Sequence, residues 1–156
     1  AWAFASREVL LGSVLLLLCG GFDVIDGAVA RVSKGVTSFG GVLDSAVDRY
    51  ADFVILAGIA YGGLAEVGGL PGWLWVFLAM SGGFMVSYIR ARAEAAGSGK
   101  LDVGVAERAE RMLILAIGGL LNKIGYAVVL VAVLSHLTAF HRLWAAKRRL
   151  PRENFL

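Results

Sequence analysis

The chain has 156 residues, 58% of them apolar, with 21 glycines and a formal net charge of +3. That apolar share exceeds the roughly 45–50% of ordinary soluble domains, which excludes a conventional soluble enzyme and places the chain in the membrane class. A single cysteine, Cys19, excludes a disulfide framework or a cysteine-rich zinc site; within an apolar run it reads as a small packing residue.

In chain order, roughly residues 4–26, 41–64, 69–90, 105–121 and 124–143 are near the ~20 apolar residues with which a helix crosses a hydrocarbon core. The only prolines are Pro71 and Pro151, so no span is obliged to kink. Basic residues alternate between connections. Arg31 and Lys34 follow the first span, Arg90, Arg92, Lys100, Arg108 and Arg111 surround the third connection, and Arg142, Lys147, Arg148, Arg149 and Arg152 follow the fifth span. The other two connections carry only Glu66 and Lys123. The positive-inside rule puts the basic connections in the cytoplasm. Ala1 then falls on the outer side with no cleavable signal peptide before it, and a further upstream span is expected. The expected fold is an all-α, polytopic membrane helical bundle with five spans in this chain and a sixth, N-terminal span missing.

Four aspartates sit at the ends of the first two spans: Asp23 and Asp26 in one pair, Asp44 and Asp48 in the other. Spacings of three and four place each pair on one helix face. A carboxylate deep in a span costs on the order of 2.5–3.5 kcal/mol, so four together require compensation by cations. Hard oxygen donors without His or Cys select Mg²⁺, Mn²⁺ or Ca²⁺ over zinc, and Mg²⁺ shares its shell between carboxylates and substrate phosphates. Gly27 and Gly40 leave room for close approach, Arg31 offers a fork for phosphate oxygens, and Thr37 offers a hydroxyl.

Asp23, Asp26, Gly27, Ala30 and Arg31, followed by Gly40, Asp44 and Asp48, resemble the signature of the CDP-alcohol phosphotransferase family, D-x-x-D-G-x-x-A-R, eight residues, G-x-x-x-D-x-x-x-D. The resemblance implies two Mg²⁺ ions, with Mn²⁺ as a substitute. Asp23, Asp26 and Asp44 would hold one, and Asp23, Asp44 and Asp48 the other. It implies that Asp48 is the general base and that Asp23, Gly27, Arg31 and Thr37 contact the CDP donor. It also implies a homodimer.

Arg108 and Arg111 are three apart and share a helix face; with Arg90 or Arg92 and Arg142 they form a candidate cationic pocket for a phosphate monoester. The stretch 87–94, with 106–111 and 138–142, resembles the branch of the family that uses inositol 1-phosphate. Arg92, Arg111 and Arg142 are carried over as acceptor-phosphate contacts, with Arg90 and Arg108 as alternates. The plain alternative is that these arginines meet lipid head groups, with Glu107 and Arg111 forming an i,i+4 pair.

Residues 1–145 are therefore expected to form an N-terminally incomplete CDP-alcohol phosphotransferase domain, and residues 146–156 a basic cytoplasmic tail. The expected enzyme lies in the plasma membrane with its site facing the cytoplasm, and transfers the phosphatidyl or archaetidyl group of a CDP-lipid to inositol 1-phosphate, releasing CMP. Rival readings are a transferase joining CDP-inositol to inositol 1-phosphate, a synthase using glycerol 3-phosphate, and a cation channel or transporter with the aspartates as its ion path. The basic tail suits anionic lipid, and no nucleic-acid motif accompanies it. His136 and His141 read as packing or interfacial residues. The glycine pairs at 20–21, 62–63, 82–83 and 118–119 suit close helix packing.

Overall fold

The computed structural model describes residues 1–32 and 37–150, with side chains throughout except at residues 23–32. Its named elements are all helical: α1 (Trp2–Ala5), α2 (Val9–Val32), α3 (Ser38–Tyr61), α4 (Gly72–Ala95), α5 (Arg108–Leu120) and α6 (Ile124–Arg149). The expected all-α class is thus observed. The first apolar run is split where Arg7 takes a φ of 64°, separating a short α1 from α2. The Arg7 guanidinium donates from Nε to the carbonyl of Gly62 at 3.0 Å, which ties this break to the end of α3.

By length and composition, two helices among the described residues are able to cross a membrane: α4 and α6. The 13 residues of α5 cover about 20 Å at the usual helical rise, short of a hydrocarbon core about 30 Å thick. Asp44, Asp48, Arg49 and Asp52 all lie on α3, so its charges gather within nine residues near its middle.

The bundle is built on α4 and α6, which share the most extensive contact, while α2 packs on α5 and α5 on α6. Leu56, Ile59, Val76, Leu115, Val128 and Val131 fill the core between them. In lipid no hydrophobic force draws helices together, so close fit matters more than buried apolar area. Glycines of the 82–83 and 118–119 pairs supply that fit, whereas a Cβ at Gly20 or Gly21 would meet nothing within 4 Å among the described residues, so that pair does not pack there. A Cβ on Gly82 would stand 2.8 Å from Ser135 Cβ across the α4–α6 seam, and one on Gly119 would collide with Ser13 across the α2–α5 seam. Outside, Leu10, Leu18, Phe77, Phe140 and Leu143 are exposed, a surface suited to lipid tails. Lys147, Arg148 and Arg149 form the last turn of α6 rather than an extended tail, and Arg152 lies outside the described residues.

Candidate active site

The N-terminus of α3 is set by Thr37, whose Oγ1 accepts a hydrogen bond from the Gly40 N–H at 3.0 Å. A Cβ on Gly40 would stand 2.9 Å from that oxygen, so Gly40 has a local reason to be glycine. From this cap, Asp44, Asp48 and Asp52 descend one helical face at successive turns. Asp44 is exposed, the Asp48 side chain is 24% exposed and that of Asp52 13%.

Two guanidinium groups from the first turn of α5 meet this face. Arg108 reaches Asp48 Oδ1 from Nη1 at 2.9 Å and Asp52 Oδ1 from Nε at 3.2 Å. Arg111 donates from Nη2 to Asp52 Oδ2 at 2.7 Å and from Nη1 to the Ala106 carbonyl at 2.8 Å. Cations in a first helical turn oppose the helix dipole, typically by about 0.3–1 kcal/mol each. Charge-assisted hydrogen bonds, worth about 1.5–3 kcal/mol each, outweigh that cost. Gly83 makes room for the arrangement, since a Cβ there would stand 3.3 Å from Arg111 Nε. The i,i+4 pairing of Glu107 with Arg111 does not form; Arg111 turns to α3 instead.

Glu107 accepts from Arg142 Nη2 at 2.7 Å and lies 3.8 Å from Arg90 Nη1. Arg142 is 2% exposed and spends its other donors on main chain, from Nε to Val103 O at 2.8 Å and from Nη1 to Val86 O at 3.0 Å. It thereby pins the connection 96–107 to α4 and α6. Gly104, at a φ of 109°, sits over Thr138, whose Oγ1 accepts from the Val105 N–H at 3.3 Å. Arg90 is held by Asp102 at 2.9 Å and Glu94 at 3.2 Å.

These groups enclose a cavity of about 610 Å³, lined by Arg49, Arg90, Arg108, Arg111, Arg142 and Glu107 among others. Four of the five arginines singled out from the sequence meet there. The fifth, Arg92, is exposed and outside the cavity lining. A second cavity, about 510 Å³ and largely apolar, runs between α2 and α5 past Leu16, Leu17, Gly20, Gly21 and Leu113, with Asp48 and Arg108 also in its wall. Asp48 and Arg108 therefore stand where a polar and an apolar cavity approach each other.

The side chains of Asp23, Asp26, Gly27 and Arg31 lie outside the described residues, so the meeting of the two aspartate pairs is not described. Among the described residues no cluster of three or more metal-ligating side chains occurs. The described half of the donor set still fits a hard divalent cation. Asp44 is exposed, and among the described residues the ion-pair contact of Asp48 Oδ2 is a 3.9 Å one, to Arg49.

Three residues of the site were not among the candidates drawn from the sequence. Asp52 continues the Asp44–Asp48 spacing by one more turn, a signal that was present. Arg49, which donates from Nη1 to Ser87 Oγ at 2.6 Å, and Glu107 are recognisable only once the helices are placed.

Residues 1–144 match the family described as CDP-alcohol phosphatidyltransferase. The chain is 44% identical over 150 residues to the archaetidylinositol phosphate synthase of Pyrococcus horikoshii, covering 96% of this chain and 77% of that one. It is 40% identical over 153 residues to the protein of the same name from Methanothermobacter thermautotrophicus, covering 94% and 75%. Among solved structures it resembles the phosphatidylinositol phosphate synthase of Mycobacterium tuberculosis, at 29% identity. With CDP-DAG bound, that structure gives a TM-score of 0.79 over 92% of this chain and 76% of that one. In complex with manganese and citrate it gives 0.80 over 92% and 73%.

Proposed function

Because the chain belongs to the CDP-alcohol phosphatidyltransferase family, we propose that it transfers the lipid-phosphate group of a CDP-linked lipid to inositol 1-phosphate, releasing CMP. The observation that carries the acceptor assignment is the cavity beside Asp48 that Arg49, Arg90, Arg108, Arg111 and Arg142 line together. Five guanidinium groups converge on it, with Glu94 and Glu107 in the lining and Asp48, Asp52 and Asp102 pairing with the same arginines from outside it; the concentration of fork-shaped N–H donors, rather than net charge, suits a phosphate monoester and is superfluous for an uncharged polyol. The named relatives are synthases of inositol-phosphate lipids.

In the proposed reaction an acceptor hydroxyl oxygen attacks the lipid-side phosphorus of the donor, the bond to the CMP oxygen breaks, and Asp48 takes the hydroxyl proton. Arg111 and Arg108, with Arg142 and Arg90 behind them, hold the acceptor phosphate so that its hydroxyl faces Asp48. The apolar trough along Leu16, Leu17 and Leu113 leads a lipid chain past the same aspartate. Asp23, Gly27, Arg31 and Thr37 would contact the CDP part. Asp23, Asp26, Asp44 and Asp48 would hold two Mg²⁺ ions, with Mn²⁺ as substitute, which neutralise charge developing on the phosphate oxygens. The reading includes a five-span bundle in the plasma membrane over residues 1–145, its cavity open to the cytoplasm, acting as a homodimer, with residues 146–156 as a basic segment on that face.

The test is CMP release from purified protein given CDP-diacylglycerol, CDP-archaeol or CDP-inositol, each against inositol 1-phosphate, glycerol 3-phosphate and free inositol. Release is expected with a CDP-lipid and inositol 1-phosphate, abolished by EDTA and restored by Mg²⁺ or Mn²⁺. Turnover with glycerol 3-phosphate alone overturns the acceptor, and turnover with CDP-inositol alone overturns the donor. Cation flux in proteoliposomes without CMP release overturns the transferase reading.

A further inference from the structure

Asp52 lies outside the eight-position motif, yet it holds more cations than either described aspartate within it. Its Oδ1 accepts from Arg108 Nε at 3.2 Å, its Oδ2 accepts from Arg111 Nη2 at 2.7 Å, and Arg49 Nη1 approaches Oδ2 to 3.9 Å. Both Arg108 and Arg111 line the arginine cavity; Asp52 does not. It lies behind them, on the floor toward the core, where a smaller apolar cavity lined by Phe53, Leu56 and Leu115 begins.

We propose that Asp52 is a positioning residue for the acceptor phosphate, acting through Arg108 and Arg111. The inference rests on the reading of the arginine cavity as the acceptor site. Three guanidinium groups around one carboxylate repel one another, and Asp52 sets their separation by giving each oxygen to a different α5 arginine. Among the described residues it shares Arg108 with Asp48, the proposed base, so that this arginine is not committed to Asp48. Arg111 is 2% exposed, and its described bonds are to Asp52 and the Ala106 carbonyl. Removing the carboxylate frees its cavity-facing end to swing.

Simple field arguments and positioning predict opposite signs. Deleting a negative charge beside a cationic cavity strengthens its field and should tighten phosphate binding. Loss of positioning should loosen it. With Asp52→Asn, the KM for inositol 1-phosphate is expected to rise about tenfold while the KM for the CDP-lipid changes less than about twofold. Asp52→Glu, which keeps the charge but shifts both oxygens, should fall between wild type and Asp52→Asn. In an Arg111→Ala background the effect of Asp52→Asn should shrink to the part that runs through Arg108.

An unchanged or lowered acceptor KM in Asp52→Asn overturns the inference. A uniform loss in both KM values and in kcat, together with a lower unfolding temperature, overturns it in favour of a purely structural role. Where the Asn variant does not fold, the Glu variant decides by the same split between acceptor and donor KM. Calorimetric titration of the purified protein with inorganic phosphate separates this inference from the function it rests on. If wild type shows no turnover with inositol 1-phosphate, the functional reading fails, while weaker phosphate binding by Asp52→Asn still supports the role of Asp52. Equal or tighter binding by the variant, or none by wild type, refutes it.

Discussion

The two walls of the cleft are held in place by different means. On the α5–α6 side, Arg142 and Arg111 are each 2% exposed; two main-chain carbonyls hold Arg142, and one carbonyl together with Asp52 holds Arg111. On the α3 side, Asp44 is exposed and Phe39, Val42, Leu43 and Val47 beside it are exposed too. Guanidinium groups find acceptors within the chain because every carbonyl is one, whereas carboxylates must find N–H groups, which a helix has already used. The cationic wall is therefore anchored largely by main chain, with Arg111 held by Asp52 as well, and the acidic wall relies on cations such as Arg108.

The sharpest way to break this contrast is at Asp48, the residue that faces both walls. Replacing it with Asn keeps the shape, keeps one acceptor oxygen for Arg108 and removes the proposed base. Turnover measured as CMP release should fall by about 10²–10⁴-fold, the usual worth of a positioned general base, with the CDP-lipid still bound. Retained turnover would mean that the proton leaves by another route and that Asp48 belongs with the arginine-held wall.

Arg142 tests the other wall. Arg142→Ala deletes three charge-assisted hydrogen bonds and leaves a hole beside Thr138 and the 96–107 connection, a loss on the order of 3–5 kcal/mol. The unfolding midpoint in detergent, followed by tryptophan fluorescence, should drop by several degrees. Arg142→Lys should recover little, because one ammonium cannot serve Val103 O, Val86 O and Glu107 in three directions. A variant that melts like wild type and only raises the acceptor KM would make Arg142 a substrate contact and no scaffold.

The same contrast explains what was legible in the sequence. The aspartate motif stands out because carboxylates in an apolar chain are costly and their spacing is helical, so no tertiary knowledge is needed. The basic cluster was legible as a cluster but not in its phase. Helix α4 is apolar on all sides through most of its length, so nothing in its pattern says whether Arg90 or Arg92 faces inward; residues two apart point in nearly opposite directions, and the structure turns Arg90 to the cavity. The break at Arg7 was hidden because no Gly or Pro marks it. Asp52 was readable from its spacing, yet its meaning depends on α5 lying against α3, which no local pattern conveys.

The smallest effect concerns the connection that joins the walls. Asp102, exposed in that connection, has its carboxyl held below the usual carboxylate range, first by the hydrogen bond from Lys100 and further by the charges of Lys100 and Arg90. A depressed carboxylate contributes stability above its unfolded pKa, about 3.9, and loses it as pH falls through the lower folded value. The connection should therefore loosen only in acid, below about pH 4, and not near neutrality. Hydrogen exchange over 96–107, corrected for the intrinsic pH dependence of exchange, should show protection falling in that window for wild type. Asp102→Asn should lack the acid step while leaving the Arg142 anchors to Val103 and Val86 intact, so the residual protection reports how much of the connection the buried arginine holds by itself. An identical acid step in the variant would move the titrating group to Glu94, whose carboxyl is also held low, first by the Leu101 N–H, and with it the point at which the cationic wall begins to open.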